Sequence, residues 1–318
     1  MKIHIIEPLA IDQAKTADLT ALFMEAGHEV LFSETRNINA DETIRRAAGA
    51  DVVVIANQPF PEEVVNALPD LKLLAVAFTG LDHVAMDACK SKGITVCNAS
   101  SYSNINVAEL TIGLMIDVLR NITALDPVTR AGGTKEGKVG FDLCGKTVGI
   151  IGLGAIGQRV ARILQGFECR ILASDPVLKE APHGLDLELT DMDSLLKESD
   201  LVTLHCPLNN ATKGLIGARE LGLMKKSAYL INCARGPVVE DTALVDALKN
   251  KKIAGAGIDV FAIEPPLNKE AVPVLELDNV VVTPHIAFAT KEAFVRRADI
   301  VADNILSWMA DSPKNVMS

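Results

Sequence analysis

The sequence predicts an α/β protein built from two doubly wound parallel sheets. Short β-branched runs alternate with amphipathic helical stretches almost from end to end, the signature of parallel strands joined by crossover helices. The alternation occurs in two series, separated by a long helical pattern and a glycine-rich loop. At 318 residues the chain is long enough for about two domains of ~150 residues each. Its 49% hydrophobic and 23% charged residues are those of an ordinary folded chain, so disorder is excluded.

The first series places strands at residues 2–7, 28–34, 51–57, 71–78 and 94–99. Helices are expected between them, at 41–50 and at 61–68 among others. The second begins at Pro61, whose fixed φ suits a first turn. Residues 104–130 repeat apolar side chains at Val107, Leu110, Leu114, Ile116, Val118 and Leu119, which predicts one bridging helix before the loop 131–137. The second series has strands at 147–153, 169–175, 201–206, 228–232, 253–260 and 280–283, matching one doubly wound sheet of six strands. A last helical pattern, 291–309, has no sheet of its own. It is expected to return to the first unit, giving a discontinuous domain of residues 1–100 and 288–318 and a continuous one of 101–287.

Charge and composition narrow the partners. Forty-one acidic against 31 basic residues leave a net charge of −10, which argues against a nucleic-acid surface. The longest apolar or glycine stretch, 148–157, is far shorter than the ~18 residues of a membrane span. The N-terminus reads as a strand rather than a signal peptide, so a cytoplasmic location is expected. The six cysteines form no C-x-x-C pair and no metal-ligand spacing, so reduced thiols and no metal are expected.

Two glycine motifs compete for a phosphate-binding role. Gly152-Leu153-Gly154-Ala155-Ile156-Gly157 follows an apolar strand and opens an amphipathic helix, 158–165, the context a dinucleotide fingerprint requires. The first glycine allows a tight turn, the second lets backbone approach a pyrophosphate, and the third lets helix and strand pack closely. The next strand ends in Asp175, 18 residues beyond Gly157, against about 20 for the acid that binds a ribose diol. A carboxylate there repels a 2′-phosphate, so NAD is favoured over NADP. Gly140 to Thr147 fits the phosphate-loop pattern G-x-x-x-x-G-K-[ST] letter by letter, but a strand follows it where a helix is needed. It reads as the turn into the first strand of the nucleotide domain.

Ligands of doubly wound sheets bind beyond the carboxyl ends of the strands. Three such ends in the second series carry Arg235, Glu264 and His285. Singly, each has a bland reading as a surface cation, a loop acid and a strand-edge histidine. Together they form a set for reducing a 2-oxo acid. The guanidinium pairs with a carboxylate in two-point fashion, the histidine donates a proton to the carbonyl oxygen, and the glutamate fixes the ring's tautomer.

These segments resemble the D-isomer-specific 2-hydroxyacid dehydrogenases over nearly the whole chain. The resemblance rests on residues 145–154, Asp175-Pro176, His205-Cys206-Pro207-Leu208 with Thr212, Asn232-Cys233-Ala234-Arg235-Gly236, Asp259-Val260-Phe261 with Glu264-Pro265, and Thr283-Pro284-His285-Ile286-Ala287. It implies a Rossmann NAD domain and a flavodoxin-like substrate domain, with Arg235 orienting substrate, Glu264 assisting and His285 donating the proton. It implies that Gly152, Gly154, Ala155, Ile156, Gly157, Asp175, Pro176, His205, Cys206, Pro207, Thr212, Cys233, Ala234, Arg235, Asp259 and His285 contact NAD, with Asp259 holding the carboxamide. In the first domain it implies that Thr79, Gly80 and Leu81, within the stretch from Phe78 to Asp82, receive the substrate carboxylate, and that Tyr102 and Val107 border the cleft. It further implies a homodimer joined through the NAD domains and closure of the two domains over substrate, with hinges near residues 100 and 287. His83, Ala262 and Phe288 depart from the commonest family residues, and Phe288 sits where it can alter the pocket.

Within the family, the stretch from Glu264 to Leu267 and residues 285–293 look most similar to the glycerate dehydrogenase, or hydroxypyruvate reductase, branch. The phosphoglycerate branch places a basic element after the third strand. Here Asn57-Gln58-Pro59-Phe60 offers a phosphate no cation, so a small unphosphorylated 2-oxo acid is expected. The alternatives are a D-3-phosphoglycerate or D-lactate type of dehydrogenase, a non-catalytic NAD-sensing regulator, and a phosphate-loop hydrolase.

Overall fold

The computed structural model describes residues 1–36, 39–266 and 272–317; Leu267 lies outside them. The chain divides into two compact units, Met1–Ser103 with Ala289–Ser318, and Asn104–Phe288. Both are parallel α/β sheets, as the alternation predicts.

The first unit runs β1 (Lys2–Ile5), α1 (Gln13–Glu25), β2 (Glu29–Phe32), α2 (Ala40–Ala47), β3 (Val52–Ile55), α3 (Glu62–Ala67), β4 (Leu73–Val76), α4 (Met86–Ser91) and β5 (Thr95–Asn98). The sheet order is β2-β1-β3-β4-β5, all parallel, the flavodoxin-like order with its reversal at β1 and β3. Central β3 and β4 are buried at every position, which is why they read as unbroken Val-Val-Val-Ile and Leu-Leu-Ala-Val. Helix starts follow side-chain caps: Asp12 accepts from the Lys15 amide at 2.8 Å and Asn39 from the Glu42 amide at 2.9 Å. Pro61 stands at the N-cap of α3, one residue before the helix.

The second unit opens with α5 (Asn104–Arg120) and α6 (Ile122–Arg130), two helices where the periodicity predicts one. The break is Asn121, at φ +56°, a left-handed conformation that Asn tolerates better than most residues. Asp117 fastens it by accepting both the amide of Thr123, at 2.9 Å, and its hydroxyl.

There follow β6 (Thr147–Ile151), α7 (Ala155–Gln165), β7 (Arg170–Ser174), β8 (Glu188–Leu189), α8 (Met192–Glu198), β9 (Leu201–Leu204), α9 (Ala218–Leu223), β10 (Tyr229–Asn232), α10 (Asp241–Lys249), β11 (Gly255–Ile258) and β12 (Val280–Val282). The order is β12-β11-β10-β9-β6-β7-β8, all parallel. The sheet has seven strands rather than six, because two-residue β8 adds an edge that no β-branched run announces. One apolar cluster, with Leu195, Leu196, Leu221, Leu244 and Leu248, joins α8, α9 and α10 to the sheet. Another, with Val107, Met115, Val160 and Leu164, joins α5 and α7 to it. The order reverses between β6 and β9, so their carboxyl ends flank the crevice where ligands of such folds bind.

The last helix, α11 (Lys291–Met309), has the bounds its periodicity predicts and belongs to the first unit. Its Arg297, 3% exposed, donates to the Leu9 carbonyl at 2.6 Å and lies over the rings of Phe294 and Tyr102. No helix among the described residues is long and apolar enough to cross a membrane.

Candidate active site

The glycine turn after β6 is shaped by contact with the end of β9. Gly152 has φ +92°, and a Cβ there would lie 2.7 Å from the Cys206 nitrogen. A Cβ on Gly157 would lie 2.2 Å from the Gly152 carbonyl oxygen, so α7 packs down on the turn only because that position is bare. Around Gly154 there is open space, with nothing within 4 Å of a Cβ, and α7 begins there without a side-chain cap. Asp175 Oδ2 accepts the Leu153 amide at 2.8 Å and Oδ1 the Val177 amide at 2.9 Å. Each oxygen keeps a further lone pair for a hydroxyl donor. Open backbone at a helix N-terminus beside a tethered carboxylate fits a dinucleotide's pyrophosphate and ribose diol.

The decoy motif is a turn before β6, and its Lys146 lies over the Phe141 ring at 5.7 Å to the centroid. It makes no phosphate cradle.

At the end of β9, His205 Nε2 meets the Thr203 hydroxyl at 3.0 Å, and burial pushes the imidazole down to about 4, leaving it neutral. The Pro207–Thr212 loop is closed by the Thr212 hydroxyl, which donates to the Pro207 carbonyl and accepts the Asn209 amide at 2.9 Å.

Beyond β10, Asn232 folds the chain back on itself. Its Oδ1 accepts the Ala234 amide and its Nδ2 donates to the Arg235 carbonyl, each at 3.0 Å. The Cys233 thiol inside this turn is buried and pushed up to about 12, so it is no nucleophile. Arg235 Nη1 donates to the Ala234 carbonyl at 2.8 Å. Gly236 is where two loops touch: a Cβ there would lie 2.0 Å from the Phe261 carbonyl carbon and 2.4 Å from the Ala262 nitrogen.

Beyond β11 the Phe261 amide donates to Glu264 Oε1 at 2.9 Å, and Glu264 Oε2 meets His285 Nδ1 at 2.6 Å. Burial alone would raise the Glu264 carboxyl. The bonds from His285 and the Phe261 amide, with the charges of His285 and Arg235, hold it below its ordinary value. His285 itself has φ +53°, a left-handed conformation unusual for a non-glycine residue and typical of functional sites.

Fully buried Asp259 holds the His285 loop. Its Oδ1 accepts the Thr283 hydroxyl at 2.6 Å and the Ile286 amide at 2.8 Å, and its Oδ2 the Ala287 amide at 2.9 Å. Burial raises this carboxyl against the lowering effect of those donors. The structure thus gathers Arg235, Glu264 and His285 at the carboxyl ends of β10, β11 and β12. With Nδ1 on Glu264, Nε2 is the ring atom that can pass a proton outward.

In the first unit Thr79 and Gly80 follow β4. The Thr79 carbonyl accepts Asn98 Nδ2 at 2.8 Å, and the Leu81 carbonyl accepts the Val84 amide. Tyr102 packs in the interior, 1% exposed, beside Phe78 and under Arg297. Val107 is buried in α5. One expectation is overturned: the Asn57–Phe60 stretch does have a cation, because Arg36 Nη2 donates to Asn57 Oδ1 at 2.8 Å. It arrives from the end of β2, 21 positions away in sequence.

Residues 112–287 match the family described as D-isomer specific 2-hydroxyacid dehydrogenase, NAD binding domain. The chain belongs to that family. These dehydrogenases are NAD-dependent oxidoreductases, and the curated relatives of this one differ in substrate. A glycerate dehydrogenase of Methylorubrum extorquens is 39% identical over 87% of this chain and 88% of its own length. A D-3-phosphoglycerate dehydrogenase of Methanocaldococcus jannaschii is 38% identical over 96% of this chain, which spans 57% of that protein. Among solved structures, an acyclic imino acid reductase in complex with NADPH and D-Arg has a TM-score of 0.89 at 29% identity, with both chains fully covered.

Thr283, Asn232 and Gly236, which the sequence offers only as members of the family-like segments and without roles of their own, hold the loops; Arg36 carries no sequence signal. Position at a strand end was the available signal for the first two. Phe288 stands edge-on to His285, with ring centroids 5.3 Å apart.

Proposed function

We propose that this dehydrogenase uses NADH to reduce a small unphosphorylated 2-oxo acid of the hydroxypyruvate or glyoxylate type. The observation that carries the reading is the 2.6 Å His285–Glu264 pair beyond the same sheet edge as Arg235. Arg235 holds the substrate carboxylate and polarises the adjacent carbonyl. His285, protonated and steadied by Glu264, delivers a proton from Nε2 to the carbonyl oxygen. NADH, when bound, supplies the hydride. Gly152, Gly154, Ala155, Ile156 and Gly157 form its pyrophosphate seat, Asp175 and Pro176 its ribose edge, and the loops at His205–Thr212, Cys233–Arg235, Asp259 and His285 its remaining wall. Thr79, Gly80 and Leu81 give backbone donors to the substrate carboxylate. Tyr102 supports them from the interior.

Exposed Ile122, Val139 and Phe141 in the nucleotide-binding unit support a homodimer formed through it. Six free cysteines fit a reducing compartment such as the cytoplasm.

The Arg36–Asn57 contact favours a second reading, in which the chain accepts the phosphorylated acid of the phosphoglycerate type. The deciding experiment follows NADH loss with hydroxypyruvate, glyoxylate, pyruvate, 3-phosphohydroxypyruvate and branched 2-oxo acids. Highest kcat/KM on hydroxypyruvate or glyoxylate is expected, and highest kcat/KM on the phospho-acid selects the second reading. Nucleotide binding without turnover of any acid overturns both and leaves a regulator.

A further inference from the structure

We infer that Asn98, Asn304 and Asn315 are positioning residues for the substrate loop, and that the tail segment 315–317 is part of the substrate site's framework. The inference rests on the proposal that the Thr79–Leu81 backbone receives the substrate carboxylate.

The three asparagines are joined in one chain of hydrogen bonds, in which Asn98 accepts at its backbone carbonyl and donates from its side chain. Asn315 Nδ2 donates to Asn304 Oδ1 at 2.8 Å, Asn304 Nδ2 to the Asn98 carbonyl at 2.9 Å, and Asn98 Nδ2 to the Thr79 carbonyl at 2.8 Å. Asn98 and Asn304 are 4% and 0% exposed, so the two bonds to the Asn98 and Thr79 carbonyls form away from competing water. Asn98 Oδ1 is buried without a partner. The opposite flip of that amide would set oxygen against the Thr79 carbonyl, so the side chain's orientation is dictated by Thr79 even though Oδ1 goes unsatisfied.

The peptide plane makes this contact directional. The Thr79 carbonyl and the Gly80 N–H belong to one planar trans unit and point in opposite senses. Fixing the carbonyl oxygen on Asn98 therefore aims the Gly80 N–H away from the interior. The tail steadies the far end of this chain of hydrogen bonds. Val316 bridges Cys97 in antiparallel fashion, the Met317 amide donates to the Val96 carbonyl at 2.8 Å, and the Asn98 amide donates to the Asn315 carbonyl at 3.2 Å. It thereby covers the free edge of β5, an outer strand of the sheet.

The test is steady-state kinetics with the preferred 2-oxo acid, alongside NADH dissociation constants from fluorescence. Asn98→Leu removes the donor at similar volume. Losing one net hydrogen bond's worth of loop orientation raises KM by about fivefold, with kcat changed by less than about twofold. The NADH dissociation constant stays unchanged. Asn315→Gly keeps the positive φ of that exposed position and deletes only the amide, so it folds even if Asn98→Leu does not. It raises KM by about twofold. A merely structural role lowers the active fraction and leaves KM alone. Unchanged KM in Asn315→Gly together with unchanged KM in Asn98→Leu, or with an Asn98→Leu that does not fold, overturns the inference. Gly80→Pro, which deletes the loop N–H itself, separates the two claims. If it raises KM and the asparagine variants do not, the loop reading stands and the positioning role falls; if it too leaves KM unchanged, the loop reading falls.

Discussion

Replacing Glu264 by Gln tests whether the carboxylate steadies His285 for proton delivery. The variant retains shape and can still accept the Phe261 amide, but it removes the negative charge 2.6 Å from Nδ1. A charge-assisted hydrogen bond contributes roughly 1.5–3 kcal/mol, which at about 1.4 kcal/mol per factor of ten corresponds to about tenfold to a hundredfold in rate. The side chains of His285 and Glu264 remain 22% and 33% exposed, so solvent screening puts the effect at the lower end, about tenfold in kcat/KM. The sign follows from the charge and orientation that the carboxylate gives the ring: without them, proton delivery from Nε2 slows. The assay is NADH oxidation under kcat/KM conditions, comparing both enzymes, with NADH dissociation constants measured alongside. A kcat/KM within about twofold of the unsubstituted enzyme, or a loss fully accounted for by weaker NADH binding, refutes the assignment of Glu264 as the proton's electrostatic partner.

Three other outcomes are expected. Asp175→Ala lifts the exclusion of a 2′-phosphate, raising the NADPH-to-NADH ratio of kcat/KM by about tenfold or more; an unchanged ratio removes Asp175 from the ribose edge. Gly236→Ala sets a methyl where 2.0 Å separates it from the Phe261 carbonyl carbon, so the Arg235 and Glu264 loops must part. A loss of about tenfold or more in kcat/KM with unchanged far-ultraviolet circular dichroism is expected. His205, pushed from 6.5 to about 4 by burial, makes the nucleotide-free protein acid-sensitive. Between those values the unfolded chain binds a proton that the folded one refuses, so stability is full above pH 6.5 and falls as pH drops toward 4. The ceiling is about 3 kcal/mol, reduced by the residue's partial exposure. Urea unfolding of His205→Asn should show a flatter pH dependence, and an equal slope would refute the burial argument.

The sheet cores were legible because strands buried on both faces are written as local apolar runs, as in Val52–Ile55 and Leu201–Leu204. Strand β8 was not, because Glu188 and Leu189 owe their pairing to Leu172 and Ala173 rather than to their own propensity. The Asn121 break was hidden for a related reason: the apolar repeat continues through it into Ile122. At the site, the glycine turn and Asp175 were readable, since spacing within one strand-helix-strand unit is local. Arg235, Glu264 and His285 were readable as polar residues at strand ends, though their convergence required the sheet order. Contacts that join distant segments left no trace in local pattern. Gly236 looks like any turn glycine until Phe261 crosses it, and Arg36 looks like a surface cation until Asn57 receives it.

Three of the roughly four acceptor positions on the Asp259 carboxylate are already claimed by Thr283, Ile286 and Ala287. One anion therefore tethers the segment bearing His285, the proposed acid, and, in its own proposed role, greets the nicotinamide amide with what capacity is left. On that proposal a change at Asp259 alters nucleotide affinity and proton delivery together, through the same two oxygens.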